Sequence, residues 1–367
     1  MHRLLPWLRG ERQPESWALR GLLLFLGALG EVLAHYQQWR VGRYQSGTLQ
    51  PYRASCPVIS VGNLTVGGTG KTPMTLWIAR YLQNQGYRVA VISRGYRQHS
   101  TARVTLVADH DRVHLSTPEA ADEALLLARA LPGVAVLTGP DRPVLIRHAI
   151  ERLGSDRIIL DDGFHRLDVA RDLDLVLLDA RRPFGNGQLL PGGILRESPQ
   201  ALARCHALIL TRAEDPDATR ATRALLQSRF PDKPILMATH HPTAWMLCSS
   251  GGDQPLPLDG LTGPVLAFCG LAVPEGFRRT LEALPLRVVD FYPFVDHHAF
   301  TSDELNQLIE RAHRSGAKAL VCTEKDAVKL DGWSPALPVY ALRVEMRFLE
   351  GGAWLRERLN ALNRTRF

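Results

Sequence analysis

Residues 58–73 read VISVGNLTVGGTGKTP. A β-branched run closes on Gly62-Asn63, glycines follow at 67, 68 and 70, and Gly70-Lys71-Thr72 leads into a segment of helical pattern. Strand, glycine-rich turn and helix N-terminus in that order make an anion cradle, because free backbone N–H groups and the helix dipole meet there. The usual phosphate loop reads G-x-x-x-x-G-K-[ST], and Thr65 stands here in place of the first glycine. That change leaves the mechanism intact, since the cradling amides come from later positions. Thr65, Val66, Gly67, Gly68, Thr69 and Gly70 would line the phosphates, with Lys71 reaching the β- and γ-phosphates and the Thr72 hydroxyl ligating Mg²⁺. The ligand expected is therefore ATP with Mg²⁺.

Working outward, RVAVISRGY, GVAVLTG, RIILDDG, LDLVLLDA and HALILTRAE read as further buried strands. Helices are expected over about residues 72–85 and within EAADEALLLARAL. Alternating strands and helices predict an α/β fold, with a mainly parallel sheet covered by helices. Active residues then belong at the carboxyl ends of the strands. The pattern changes at RFPDKPILMATHHP, residues 229–242, and a second, smaller α/β run follows, with a helix N-cap at Thr301 or Ser302. The organisation expected is an N-terminal basic and apolar helix region over 1–45, a P-loop domain over 46–232, and a smaller α/β domain over 233–367 that closes over the active site.

A chain of 367 residues suits two domains better than one core. Lysine and arginine exceed aspartate and glutamate by 44 to 37, a net charge of +7 that favours acidic partners. The 5 cysteines are scattered and never in C-x-x-C spacing, which argues against a disulfide framework and a zinc site. Near the N-terminus, Arg3, Arg9, Arg12 and Arg20 precede GLLLFLGALGEVLAHY, an apolar run broken by Glu31. The unbroken part falls short of the ~20 residues a spanning helix needs. The preferred reading is a helix lying in a membrane interface, with Trp7, Trp17 and Trp39 at the boundary. A buried core helix is the second reading and a signal peptide the third.

Three further clusters could carry chemistry. In RIILDDGFHR an apolar strand ends in Asp161-Asp162, the form of a Mg²⁺-organising strand beside a phosphate loop. In FVDHHAF, Asp296, His297 and His298 lack a third ligand at metal spacing, so one histidine acting as proton acceptor or as partner to a carboxylate is the better reading. Spacing does not choose between His297 and His298. Asp122-Glu123, by itself, is an ordinary acidic helix start. A membrane-associated regulatory ATPase would share the loop, the aspartate pair and the anchor. Its deviant loop K-G-G-x-G-K-T carries lysine where Val66 stands. Nucleic-acid binding lacks any helix-turn-helix, finger or RNP-like segment to support the basic charge.

Taken in order, VGNLTVGGTGKTP, SRGY, DEALLLA, GPDR, DDGF, ARDLDLVLLD, LLPGGILRES, FCGLAVPEGF, DHHAF and TEKDAVKL resemble the tetraacyldisaccharide 4'-kinase family of lipid A biosynthesis. The resemblance implies transfer of the ATP γ-phosphoryl group to the 4'-hydroxyl of an acylated glucosamine disaccharide, on the cytoplasmic side of a Gram-negative inner membrane. The lipid is the implied partner, with no nucleic acid and no obligate protein partner. Asp122 matches the family's catalytic carboxylate, with His297 as its partner, and Lys71 would neutralise phosphate charge. Thr72, one or both of Asp161 and Asp162, and Glu197 of LRES would serve the metal, and Arg142 of GPDR the transferring phosphate. Two departures are His165-Arg166 after DDGF, where the family has Gln-His, and Ala124 where it has proline.

Overall fold

The computed structural model describes residues 5–9, 17–95, 98, 100, 102–117, 119–248 and 254–362. Arg3 and Arg12 of the basic N-terminal segment, Tyr96 of SRGY and the side chain of Trp17 lie outside what it describes. The chain divides into two compact units: residues 1–94, 139–240 and 346–367 form the first, and residues 95–138 and 241–345 the second. This differs from a single cut between 232 and 233. Segment 95–138 folds with the second unit because its strands Thr105–Ala108 and Ala135–Thr138 pair with each other and its helix Asp122–Ala130 packs on the helix Glu324–Ala327. The segment 346–367 returns to the first unit, where its helix Gly352–Ala361 buries Leu355 and Leu359.

In the first unit, Val58–Asn63 is the central strand, buried at every position as its near-continuous apolar run requires. It pairs in parallel with Arg157–Asp161 on one side and Leu173–Asp179 on the other. Val89–Ser93 extends the sheet beyond the former, and Ala207–Thr211 and the start of Ile235–Leu247 extend it beyond the latter, all parallel. Parallel strands need crossover connections, supplied by helices such as Lys71–Asn84, Arg142–Glu151 and Pro216–Arg229. The register sets Val61 opposite Asp161. The phosphate loop and the aspartate pair therefore leave the sheet at the same end. Gly62 is required there, since a Cβ would lie 2.5 Å from the Phe164 Cβ and 2.8 Å from its backbone nitrogen.

The helix Trp17–Gln45 also belongs to the first unit and outruns the apolar stretch that predicted it. Gly27 and Gly30 admit close backbone approach of residues 188–192, and Ala34 is buried with Leu189 and Leu195. Leu22, Phe25, Leu29, Val32, Tyr36 and Trp39 are exposed, at spacings of three and four. Among the described residues, no helix is long and apolar enough to cross a membrane. Trp7, expected at a membrane boundary, instead packs partly buried against Leu8 and Ile194.

In the second unit, Pro264–Cys269 pairs in parallel with Arg287–Pro293 and with Ala319–Thr323, which in turn pairs in parallel with Val339–Glu350. The N-cap of the helix Ser302–Ser315 is Thr301, not Ser302. Thr301 and Glu304 satisfy each other's backbone N–H groups in a capping box. The helix then closes the core with Leu305, Leu308 and Ala312.

Gly62→Ala should cost about 1–3 kcal/mol by overpacking. Gly42→Ala, on an exposed turn where a Cβ meets nothing within 4 Å, should gain roughly 1 kcal/mol of helix propensity. Thermal unfolding of the two variants should shift in opposite directions, and a neutral Gly62→Ala would contradict the packing described.

Candidate active site

The phosphate loop is shaped by where its carbonyls go. Asn63 Nδ2 donates to the Gly67 carbonyl at 3.4 Å, Arg212 Nη2 to the Gly68 carbonyl at 2.6 Å, and Thr211 Oγ1 to the Thr69 carbonyl at 2.8 Å. In a trans peptide the C=O and the following N–H point in opposite directions. These ties therefore turn the N–H groups of Gly68, Thr69 and Gly70 away from them, toward the side a phosphate would occupy. Gly67 and Gly70 have φ of 113° and 91°, which only glycine adopts without strain. Gly70 is also the N-cap of Lys71–Asn84 and supplies no side-chain cap hydrogen bond. Behind it sits His240, whose imidazole is pushed down to about 4 by withdrawal from water and then by Arg212, so the ring stays neutral.

Lys71 Nζ lies 4.0 Å from Asp162 Oδ1, and Arg196 Nη1 meets the Asp162 oxygens at 2.7 and 2.8 Å. Burial would raise the Asp162 carboxyl, but Lys71 and then Arg196 outweigh it and hold it below the usual range. The two aspartates are not equivalent. Asp161 is buried in the strand and accepts from Thr75 Oγ1 at 3.1 Å, whereas Asp162 sits at φ 58° with its side chain 32% exposed. Arg142, at the first turn of its helix, is buried and donates to the Gly139 carbonyl at 2.6 Å. Burial first, then Arg166, pushes its guanidinium down to about 10, against the pull of Asp161 and Asp162.

Glu197, which the family resemblance assigns to the metal side, is bonded to two side chains. One oxygen meets His165 Nδ1 at 2.5 Å and the other accepts from Arg204 Nη2 at 2.8 Å, in a side chain only 9% exposed. Thr72, Asp161, Asp162 and Glu197 do not form a ligand cage: among the described residues no group of three histidine, cysteine, aspartate or glutamate side chains could hold a metal ion.

The second unit carries a separate cluster. Asp122 opens its helix, and its Oδ2 lies 3.4 Å from His297 Nδ1 and 3.6 Å from Lys329 Nζ. Burial would raise the Asp122 carboxyl, but the His297 hydrogen bond and the charge of Lys329 outweigh it and lower it. His297 takes φ 57°, its N–H donating to the Gly270 carbonyl at 3.3 Å. His298 turns elsewhere, to Glu304 at 2.9 Å, and stacks on Phe294. The histidine facing Asp122 is therefore His297.

Sequence reasoning missed the supporting side chains. Lys325 Nζ lies 3.0 Å from His297 Nε2 and 3.3 Å from Asp296 Oδ1. Asp326, fully buried, accepts from Gly270 N, Thr323 Oγ1 and Lys329 Nζ at 3.0, 2.6 and 3.0 Å. The i, i+4 spacing of Lys325 and Lys329 within TEKDAVKL was a readable signal. Arg196 and Arg212 gave none, being single arginines on loops.

Set against known proteins, residues 22–363 match the LpxK family model, tetraacyldisaccharide-1-P 4'-kinase. The chain belongs to this family. It is 41% identical over 352 residues to the tetraacyldisaccharide 4'-kinase of Syntrophus aciditrophicus (strain SB), covering 93% of this chain and 92% of that one. It is 46% identical over 317 residues to that of Anaeromyxobacter dehalogenans (strain 2CP-C), covering 84% and 82%. Its fold matches the crystal structure of LpxK from Aquifex aeolicus in complex with ATP, with a TM-score of 0.76 and 30% identity, over 93% of this chain and 99% of that one.

His165, one of the two departures from the family pattern, is the residue bonded to Glu197. Burial would raise the Glu197 carboxyl, but His165 and Arg204 outweigh it and hold it below the ordinary 4.5. A carboxyl depressed in the folded state contributes stability that is present above its unfolded value and is lost as pH falls through the folded one. Glu197→Gln should therefore melt below the wild type at neutral pH, yet lose less further stability on acidification to about pH 3. Parallel melting curves for the two proteins across that range would contradict this.

Proposed function

We infer that the protein transfers the γ-phosphoryl group of ATP to the 4'-hydroxyl of tetraacyldisaccharide 1-phosphate, yielding the 1,4'-bisphosphorylated lipid and ADP. Family membership across residues 22–363 is the observation that carries the reading, and the chemistry of the two clusters supports it. Phosphoryl transfer asks mainly for positioning and charge neutralisation. The loop amides over residues 65–72 would hold the phosphates, with Lys71 and Arg142 countering their charge. Asp122, an anion backed by His297, would accept the proton of the sugar hydroxyl. The hydroxyl oxygen's electron pair then forms the new bond to γ-phosphorus, while the bond from γ-phosphorus to the β–γ bridging oxygen breaks and ADP leaves with that pair. The reaction itself requires the hydroxyl and the γ-phosphate to meet in line.

Mg²⁺ asks for only one or two protein oxygens beside phosphates and water. The Thr72 hydroxyl and Asp162, the more exposed of the two aspartates, fit that demand, with Asp161 acting through Thr75 and Glu197 fixing His165 and Arg204. When bound, the ion would neutralise charge developing on the phosphate oxygens.

The lipid substrate calls for a membrane surface. The exposed apolar side of Trp17–Gln45, from Leu22 to Trp39, supports a peripheral helix lying in the interface. A kinase drawing on ATP for this lipid would work at the cytoplasmic face of the inner membrane, where the nucleotide is available.

With γ-labelled ATP, Mg²⁺ and detergent-dispersed tetraacyldisaccharide 1-phosphate, label should pass to the lipid, and Lys71→Ala should abolish this. Release of labelled phosphate with unlabelled lipid would move the protein to the ATPase class.

A further inference from the structure

What a histidine does beside a carboxylate depends on which ring nitrogen carries the proton, and here a third group bears on it. Nδ1 of His297 faces Asp122 at 3.4 Å, while Nε2 faces Lys325 Nζ at 3.0 Å. An ammonium group only donates, so the Nε2 lone pair must accept, and the proton of a neutral ring must lie on Nδ1. That proton is directed at the Asp122 carboxylate. We propose that Lys325 is a positioning residue for the phosphoryl acceptor site: by donating to Nε2 it fixes His297 as the Nδ1–H tautomer and so keeps one hydrogen bond permanently on Asp122.

Several features hold Lys325 to this task. Its side chain is only 18% exposed, and its ammonium is anchored by Asp296 Oδ1 at 3.3 Å, with Glu123 Oε1 at 3.8 Å. Its short helix is capped by Thr323 and tied down by buried Asp326, which also bonds Gly270 N; the Gly270 carbonyl in turn holds the His297 backbone in its left-handed conformation. Lysine and imidazole are thus placed by one hydrogen-bonded framework. Among the described residues, the charged groups facing the pair include Asp122, Glu123, Asp296, Lys325 and Lys329. A chemical consequence follows. With its Nε2 lone pair occupied, His297 is not the group that removes the hydroxyl proton; that proton goes to Asp122, and the Nδ1–H bond steadies the anion before transfer.

The proposal rests on reading Asp122 as the proton acceptor, but its first test needs no turnover. Nitrogen-15 correlation spectra of the detergent-solubilised full chain, labelled at histidine and assigned by difference against His297→Gln, report the tautomer directly. The wild type should show His297 protonated at Nδ1 with Nε2 bare, and Lys325→Met should shift the ring to the Nε2–H form. A wild-type ring carrying its proton on Nε2, or an unchanged ring in Lys325→Met, would overturn the proposal even in an active kinase. In the transfer assay Lys325→Met should lower kcat ten- to a hundredfold, leave KM for ATP and lipid within about twofold, and move the acidic limb of the pH–kcat profile. A loss confined to KM would instead make Lys325 a substrate contact. Absence of lipid phosphorylation by the wild type would overturn the kinase reading and leave the tautomer assignment standing.

Discussion

A phosphate loop can present its amides only if its carbonyls are bound elsewhere, and the first unit is built around that requirement. Arg212 and Thr211, at the end of one strand, and Asn63, at the end of another, take the carbonyls of Gly68, Thr69 and Gly67. Those ties exist because Val58–Asn63 is the central, fully buried strand of a parallel sheet. The same register brings Asp161-Asp162 level with the loop, and the close approach of Phe164 to Gly62 locks the turn that follows. Sheet pairing, loop polarity and the setting of the aspartates are consequences of one packing arrangement.

The second unit meets a different demand. A sugar hydroxyl is a weak nucleophile, so a kinase acting on it benefits from a carboxylate that is ionised yet partly withdrawn from water. Burial alone would work against ionisation of Asp122, and His297 with Lys329 reverses the sign. The cations are themselves restrained: Lys329 by buried Asp326, Lys325 by Asp296. The carboxyl at this helix start is lowered only by residues far away in sequence, as the Asp122–His297 separation of 175 illustrates.

That distance explains what the sequence could and could not tell. The loop over residues 65–72 was legible because its chemistry is contiguous, and the alternation of apolar strands with helices disclosed the parallel sheet. Asp122 was unremarkable on its own, since a carboxylate at a helix start is common; only the family resemblance singled it out. The choice between His297 and His298 depended on a left-handed backbone at a non-glycine residue, which no pattern of residue types announces. The compact units differ from the linear boundary at 232/233 for a related reason. Strand pairing carries 95–138 and 346–367 to units that composition did not suggest. Glu197 was singled out only by the family resemblance, and its partners His165 and Arg204 were not visible in the sequence.

The central claim is a division of labour, with nucleotide held by the loop of the first unit and the hydroxyl proton taken by Asp122 of the second. The most direct test is to measure ATP–Mg²⁺ affinity and lipid phosphorylation side by side in Asp122→Asn, a change that keeps shape and removes the anion. The account predicts an affinity within about twofold of the wild type and a kcat lowered by roughly 10²–10⁴. Phosphorylation at an undiminished rate, or loss of ATP binding in a folded variant, would contradict it.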